Sequence, residues 1–181
     1  MKIKYNSPVI LTYAIISICV MAFFSYNFSA KYFSSPSHLS FTNPSFFIRL
    51  ISYIIVHGGW GHLMGNLMII LLIGPLLEEK YRSDQLLIMI LITAVSTGLL
   101  NAILFSNSLI GGSGIAFMLI LLGSFSNIRS KEIPLTFLII SVLFIGREIA
   151  SSLKIDQISQ FSHLAGGFIG ACYGFIKIGK R

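Results

Sequence analysis

The stretch that decides the fold is residues 85–128, QLLIMILITAVSTGLLNAILFSNSLIGGSGIAFMLILLGSFSNI. It runs for 44 residues without Asp, Glu, Lys or Arg. Because a helix crosses a bilayer in about 20 residues, this run predicts two spanning helices. The break between them is expected at Ser106-Asn107-Ser108 and Gly111-Gly112, which cluster turn-forming residues.

The composition of the chain agrees with a membrane protein. Of its 181 residues 55% are hydrophobic and only 10% are charged, against about 25% charged in soluble domains. A soluble globular protein, a disordered tail and a disulfide scaffold are therefore excluded. The net charge is +7, but the charged residues lie between the apolar runs and form no basic face. We therefore expect a lipid bilayer as partner and no nucleic acid.

The remaining charge-free runs extend this pattern to an all-α, polytopic membrane fold with six transmembrane helices in one domain, residues 1–181. The predicted spans are Pro8–Tyr26, Gly59–Leu77, Gln85–Leu104, Ser113–Asn127, Pro134–Ser151 and Phe161–Ile176. The fourth is short and is expected to be surrounded by the others. A long outer loop, residues 27–58, joins the first two, and its amphipathic stretch Phe46–Val56 is expected at the membrane interface.

The basic residues predict the orientation of these spans. With a cytoplasmic N-terminus, nine Lys and Arg residues fall inside and four outside, which favours both termini in the cytoplasm. The second, fourth and sixth spans then begin on the outer side. His62, Ser113 and His163 stand near those three starts, so we expect them at one depth.

Polar residues within spans are functional candidates. All six acidic residues lie at span ends or in loops, which argues against an intramembrane aspartyl protease and carboxylate-coupled transport. Ser113 follows Gly111-Gly112 at a helix start, where free backbone N–H groups could stabilise an oxyanion. His62 and Asn66, spaced i, i+4, share one helix face. The stripe of Gly166, Gly170 and Gly174 favours close approach of another helix, with Gly114 expected opposite it.

Together these motifs resemble the rhomboid intramembrane serine proteases in their minimal six-helix bacterial form. The resemblance covers roughly Phe46 to Lys177. It consists of four motifs in order, which are Arg49, His57-x4-His62-x3-Asn66, Gly111-x-Ser113-Gly114 and His163-x2-Gly166-x3-Gly170.

The resemblance implies a Ser–His dyad, with Ser113 as nucleophile and His163 as general base, and no acidic third member. It implies an oxyanion hole made by the Ser113 backbone N–H with the side chains of His62 and Asn66. No cofactor or metal is implied.

The resemblance also implies supporting roles. His57 helps to hold the site and its water, while Arg49 and Glu78 are structural. Phe117 departs from the family, which often has Tyr there, four residues after the serine. The ring that packs on the catalytic His is kept and its hydroxyl is lost.

The expected function is an intramembrane serine endopeptidase that cleaves transmembrane segments of membrane proteins, in a bacterial plasma membrane with its active site toward the outer side. An alternative is a non-catalytic rhomboid-fold protein that binds or escorts transmembrane clients. A protease specialised for C-terminal sorting tails also stays open. A transporter is disfavoured because paired charges and an inverted repeat are missing. A zinc site of His57, His62 and His163 is disfavoured by the x4 spacing.

Overall fold

A computed structural model of the chain describes residues 6–125 and 157–178, with six positions between them (135, 138, 139, 142, 143 and 146). These parts are helical and contain no strand. The helices are α1 (Pro8–Phe23), α2 (Tyr26–Phe33), α3 (Pro44–Ser52), a 3₁₀ turn (Tyr53–Ile55), α4 (Trp60–Tyr81), α5 (Ser83–Leu104), α6 (Ser113–Phe125) and α7 (Gln157–Ile178).

The observed helices differ from the predicted spans mainly at their ends. The first ends at Phe23, three residues early, and the last begins at Gln157 rather than Phe161. Residues 27–58 are not a plain loop, because α3 and the 3₁₀ turn lie within them together with most of α2. The fifth predicted span, 134–151, lies outside the described residues apart from the six helical positions given above. The predicted end of the fourth span, Asn127, also lies outside them.

Two of the described helices, α4 and α5, are long and apolar enough to cross a membrane, and α1 and α6 are shorter apolar helices. The outward side of α4 is apolar: Met68, Leu72 and Leu76 are 73%, 63% and 69% exposed. Apolar exposure along a whole helix is unusual for a soluble protein. The all-helical architecture is thus observed, while the number of spans and their orientation stay predictions.

The short helix α6 lies at the centre of the bundle. Every residue from Ser113 to Ile120 is buried, and α4, α5 and α7 pack around it. Within the described residues α6 is therefore surrounded by protein, and a helix in that position need not match the thickness of the bilayer.

Glycines of α7 allow it to pack closely against α5. A methyl group added at Gly166 would collide with Thr97, and one at Gly170 would collide with Thr93. These two glycines of the predicted stripe therefore meet threonines of α5. Contact with α6 is made at Gly174, where an added Cβ would lie 2.5 Å from Cδ2 of Leu122, and at Gly167, where it would lie 2.8 Å from the carbonyl oxygen of Gly114. Two adjacent glycines thus let one helix approach two neighbours.

Glu78, which the resemblance made structural, caps the N-terminus of α1. Its Oε1 and Oε2 accept the backbone N–H groups of Val9 (2.9 Å) and Ile10 (3.0 Å), and its side chain is 2% exposed. The residue at the N-cap of α1, Ser7, makes no capping bond with its own side chain. A carboxylate at this end also interacts favourably with the helix dipole. One buried acid of α4 therefore fixes the start of α1.

We expect Glu78→Ala to lower the free energy of unfolding by about 2–4 kcal/mol, because it leaves two backbone donors unpaired in an apolar setting. The matched control is Glu79→Ala at the next residue, which is exposed and should change stability by about 0.5 kcal/mol or less. Unfolding followed by circular dichroism in detergent measures both. Equal losses in the two variants would contradict the capping role.

Candidate active site

Ser113 is the first residue of α6 and is 2% exposed. The helix begins here because the preceding backbone is non-helical, with Gly111 at φ +115°, a conformation that L side chains rarely adopt. The carbonyl of Gly112 accepts the N–H of Ala116 at 2.9 Å and starts the helical hydrogen-bond series. Ser113 thus lies buried at a helix N-terminus, directly after a glycine turn.

The turn before Ser113 is held by hydrogen bonds from another part of the chain. The N–H of Gly111 donates to the carbonyl of Tyr53 at 3.0 Å. The N–H of Gly112 donates to Nε2 of His57 at 3.4 Å. The 3₁₀ turn and the residues just after it therefore fix the two glycines, and the role of His57 in this geometry is to hold the turn.

His62 lies against Gly111. A Cβ added at Gly111 would be 2.7 Å from Cε1 of His62 and 2.9 Å from its Nε2. The Nδ1 of His62 accepts the N–H of Gly58 at 3.4 Å. In a neutral imidazole whose Nδ1 accepts, Nε2 carries the proton. The imidazole thus lies close to the turn before Ser113.

Asn66 follows His62 by one helical turn and is 4% exposed. Its Nδ2 is buried and makes no hydrogen bond within the described part of the chain. The same atom would lie 3.7 Å from a Cβ at Gly111, so it faces the same turn as His62. An unpaired buried amide is costly, and such groups in native proteins often mark functional sites.

The side chain of His163 lies outside the described residues, although its backbone belongs to α7. It precedes Gly167 by four residues, and residues at that spacing share a helix face. Gly167 is the point where α7 meets Gly114, the residue after Ser113. His163 thus lies one helical turn before both Gly166, which meets α5, and Gly167, which meets α6.

Phe117 lies at the same contact between α6 and α7. It is 9% exposed, and a Cβ at Gly167 would be 2.8 Å from its Cδ1. The ring thus packs on the backbone of α7 one turn after His163. The phenyl group that replaces the usual tyrosine is a buried packing residue.

Arg49 lies away from this cluster and organises the first connection. Its Nε donates to the carbonyl of Ser34 at 2.7 Å, and its Nη2 donates to Ser34 Oγ at 3.0 Å and to the carbonyl of Ser35 at 3.1 Å. The N–H of Ser35 in turn donates to the carbonyl of Leu109 at 2.9 Å, and the N–H of Leu109 donates to Ser35 Oγ at 2.7 Å. Arg49 therefore supports the segment that anchors the loop before Ser113.

His57 is 2% exposed and its ring lies 5.1 Å from that of His62. Burial, and secondarily the neighbouring His62, lower the pKa of His57 from 6.5 to about 4. His57 is therefore neutral at physiological pH and able to accept from Gly112. Within the described residues, no three His, Cys, Asp or Glu side chains lie together as a metal site would require.

Comparison with known proteins identifies the family to which this chain belongs. The family model described as the Rhomboid domain matches residues 44–180. The chain belongs to the rhomboid family. Family membership and the two long apolar helices together indicate a membrane protein.

Relatives of this rhomboid chain occur in both animals and plants. It is 28% identical over 162 residues to Rhomboid-related protein 1 of Caenorhabditis elegans, covering 78% of this chain and 46% of that one. It is 30% identical over 143 residues to Rhomboid-related protein 2 of Mus musculus, covering 70% of this chain and 47% of that one. It is 27% identical over 140 residues to RHOMBOID-like protein 2 of Arabidopsis thaliana, covering 72% of this chain and 42% of that one. The matches span less than half the length of these relatives.

Sequence reasoning missed three contributors to the site: the carbonyl of Tyr53, the contact of Gly112 with His57, and Gly167. The doublet Gly166-Gly167 was the available signal for the last, since two adjacent glycines leave two sides of a helix open. The contacts made by the Tyr53 carbonyl and the Gly112 N–H could not be predicted from the sequence, because almost every residue carries the same backbone groups.

We expect Gly111→Ala to lower stability by about 1–3 kcal/mol, because the new side chain occupies a strained φ and meets the His62 ring. The matched control is Gly61→Ala, where an added Cβ meets nothing within 4 Å and a helical alanine is favoured. Thermal unfolding in one detergent measures both variants. A Gly111→Ala protein as stable as Gly61→Ala would show that this turn is not constrained.

The low pKa of His57 predicts a loss of stability in acid. The unfolded chain binds a proton near pH 6.5 but the folded chain only near pH 4, so stability falls between these values, by up to about 3 kcal/mol. His57→Gln keeps an acceptor for Gly112 and does not titrate. Its unfolding free energy should fall less than that of the wild type from pH 7 to pH 4, and parallel curves would contradict the assignment.

Proposed function

We propose that this rhomboid-family protein is an intramembrane serine endopeptidase that cleaves transmembrane segments with Ser113 as nucleophile and His163 as general base. The observation that carries the proposal is the burial of Ser113 at a helix N-terminus directly after Gly111, a glycine faced by Asn66, whose amide donor has no partner in the described chain. A nucleophile next to an unpaired donor is the arrangement that acyl transfer requires.

In the proposed reaction, the His163 imidazole accepts the proton of the Ser113 hydroxyl while Oγ attacks a peptide carbonyl. The same imidazole then donates that proton to the departing amine, and water hydrolyses the acyl-enzyme by the reverse steps. The close approach of α7 to α6 at Gly167 supports this pairing, because Gly167 lies one helical turn after His163 and contacts Gly114, the residue after Ser113.

We infer that the oxyanion is stabilised by the Ser113 backbone N–H, Asn66 Nδ2 and the Nε2–H of His62. The last two face Gly111 from one side of α4. Because they sit on a helix packed against α6 rather than on a loop, they are oriented before substrate binds, and removal of one such donor costs about 10²–10³ in rate.

Substrates are proposed to be membrane proteins, since the outer faces of the bundle are apolar and the candidate site is buried among helices. A substrate helix must unwind locally to expose its carbonyl to Ser113. The bacterial plasma membrane and an active site toward its outer side are part of this proposal, resting on the distribution of basic residues.

We expect a fluorophosphonate to label the wild-type protein in proteoliposomes and not to label Ser113→Ala, while His163→Ala loses cleavage of a panel of transmembrane peptides and stays folded. Ser108→Ala and His38→Ala, both at exposed positions, should behave as wild type. Labelling detected by in-gel fluorescence and fragments detected by mass spectrometry are the measurements.

Each outcome separates the proposal from its rivals. Equal labelling of wild type and Ser113→Ala would refute the nucleophile, and full cleavage by His163→Ala would refute the dyad. A wild-type protein that binds a peptide without producing a fragment would instead favour the non-catalytic client-binding protein.

A further inference from the structure

Tyr13 of α1 links the first helix to the turn before Ser113. Its side chain is 7% exposed, and its hydroxyl donates to the carbonyl of Ile54 at 2.8 Å. Ile54 is the middle residue of the 3₁₀ turn that also supplies the carbonyl of Tyr53 to Gly111. The hydroxyl of Tyr13 thus bonds the same turn that holds the nucleophile loop.

The same hydroxyl lies against Gly112. A Cβ added at Gly112 would clash with the Tyr13 hydroxyl oxygen. It would lie 3.2 Å from Cζ of Tyr13 and 3.5 Å from the carbonyl oxygen of Ile54. The hydroxyl, that carbonyl and Gly112 therefore meet at one point, one residue before Ser113.

The Tyr13 ring is buried in the core, beside an apolar groove between α1, the 3₁₀ turn and α5 that is lined by residues such as Ile16, Ile55 and Leu91. Apolar packing has no preferred direction for the hydroxyl, whereas a hydrogen bond does. The bond to the carbonyl of Ile54 is therefore the directional restraint on the Tyr13 hydroxyl at Gly112.

We propose that Tyr13 is a positioning residue for Ser113. Its hydroxyl, held by the carbonyl of Ile54, forms the surface on which Gly112 rests, and so sets the backbone of the turn from which α6 and the nucleophile begin. The catalytic consequence rests on the proposed function of Ser113. The contact itself is a property of the fold, and the two are tested separately.

The test is a double-variant cycle in proteoliposomes with the wild type, Tyr13→Phe, Gly112→Ala and the combined variant. We expect Tyr13→Phe to slow fluorophosphonate labelling by roughly fivefold to fiftyfold, since small misplacement of a nucleophile is costly. Gly112→Ala should slow it further, because its methyl group displaces the hydroxyl. The combined variant should be labelled faster than Gly112→Ala, because the lost hydroxyl makes room for the methyl group.

Two further readouts exclude a merely destabilising effect. In peptide cleavage, Tyr13→Phe should lower kcat with KM unchanged. Tyr81→Phe also removes a buried tyrosine hydroxyl, one without a partner in the described chain, and should be labelled as the wild type is. A Tyr13→Phe protein with normal labelling, or a combined variant labelled more slowly than Gly112→Ala, would overturn the positioning role.

Melting temperatures of the same four proteins test the contact without reference to catalysis. We expect Gly112→Ala to lower the melting temperature and the added Tyr13→Phe to restore part of it. If Ser113→Ala is labelled as the wild type is, the nucleophile assignment fails, and the melting temperatures still decide the contact. Absence of that restoration would overturn the proposal even where Ser113 is the nucleophile.

Discussion

The structure depends on one constraint, which is that a non-helical turn lies buried among apolar helices. Leu109, Gly111 and Gly112 are buried, and their N–H groups lie outside any helix. Because water is scarce inside a membrane protein, each of these groups would cost several kcal/mol if it were left unpaired. The first connection supplies the partners. Tyr53 and His57 accept from Gly111 and Gly112, while Ser35 pairs with Leu109.

This constraint explains why the connection between α1 and α4 is long and folded. A short loop could not reach the turn before Ser113 and also present acceptors at the required positions. Arg49 keeps its first part in place by bonding Ser34 and Ser35, and the buried side of α3 anchors the rest through Phe46 and Leu50. In the Phe46–Val56 stretch, Phe46, Leu50 and Val56 are buried against the bundle, while Phe47 and Ile48 are exposed. Its position at the membrane interface stays a prediction.

The buried polar side chains divide into two groups by their partners. Glu78 is fully paired at the start of α1 and acts as a structural cap. Asn66 is buried near Gly111, and its amide donor is unpaired within the described residues. A paired buried group rigidifies the fold, whereas an unpaired one costs stability, so Glu78 and Asn66 affect the stability of the fold in opposite directions.

The sequence by itself determined the helical class and, through spaced motifs, the rhomboid family and the start of α6 at Ser113. Charge-free runs indicate segments suited to lipid, and a Gly-Gly-Ser junction indicates the start of a helix. Both signals can be recognised in the sequence because they depend on residue type alone. Only the tertiary structure decided that Gly167 rather than the predicted stripe meets Gly114, that α3 lies within the outer connection, and that Tyr13 reaches Gly112. These depend on helix rotation and on backbone carbonyls, which every residue carries and which therefore leave no mark in the sequence.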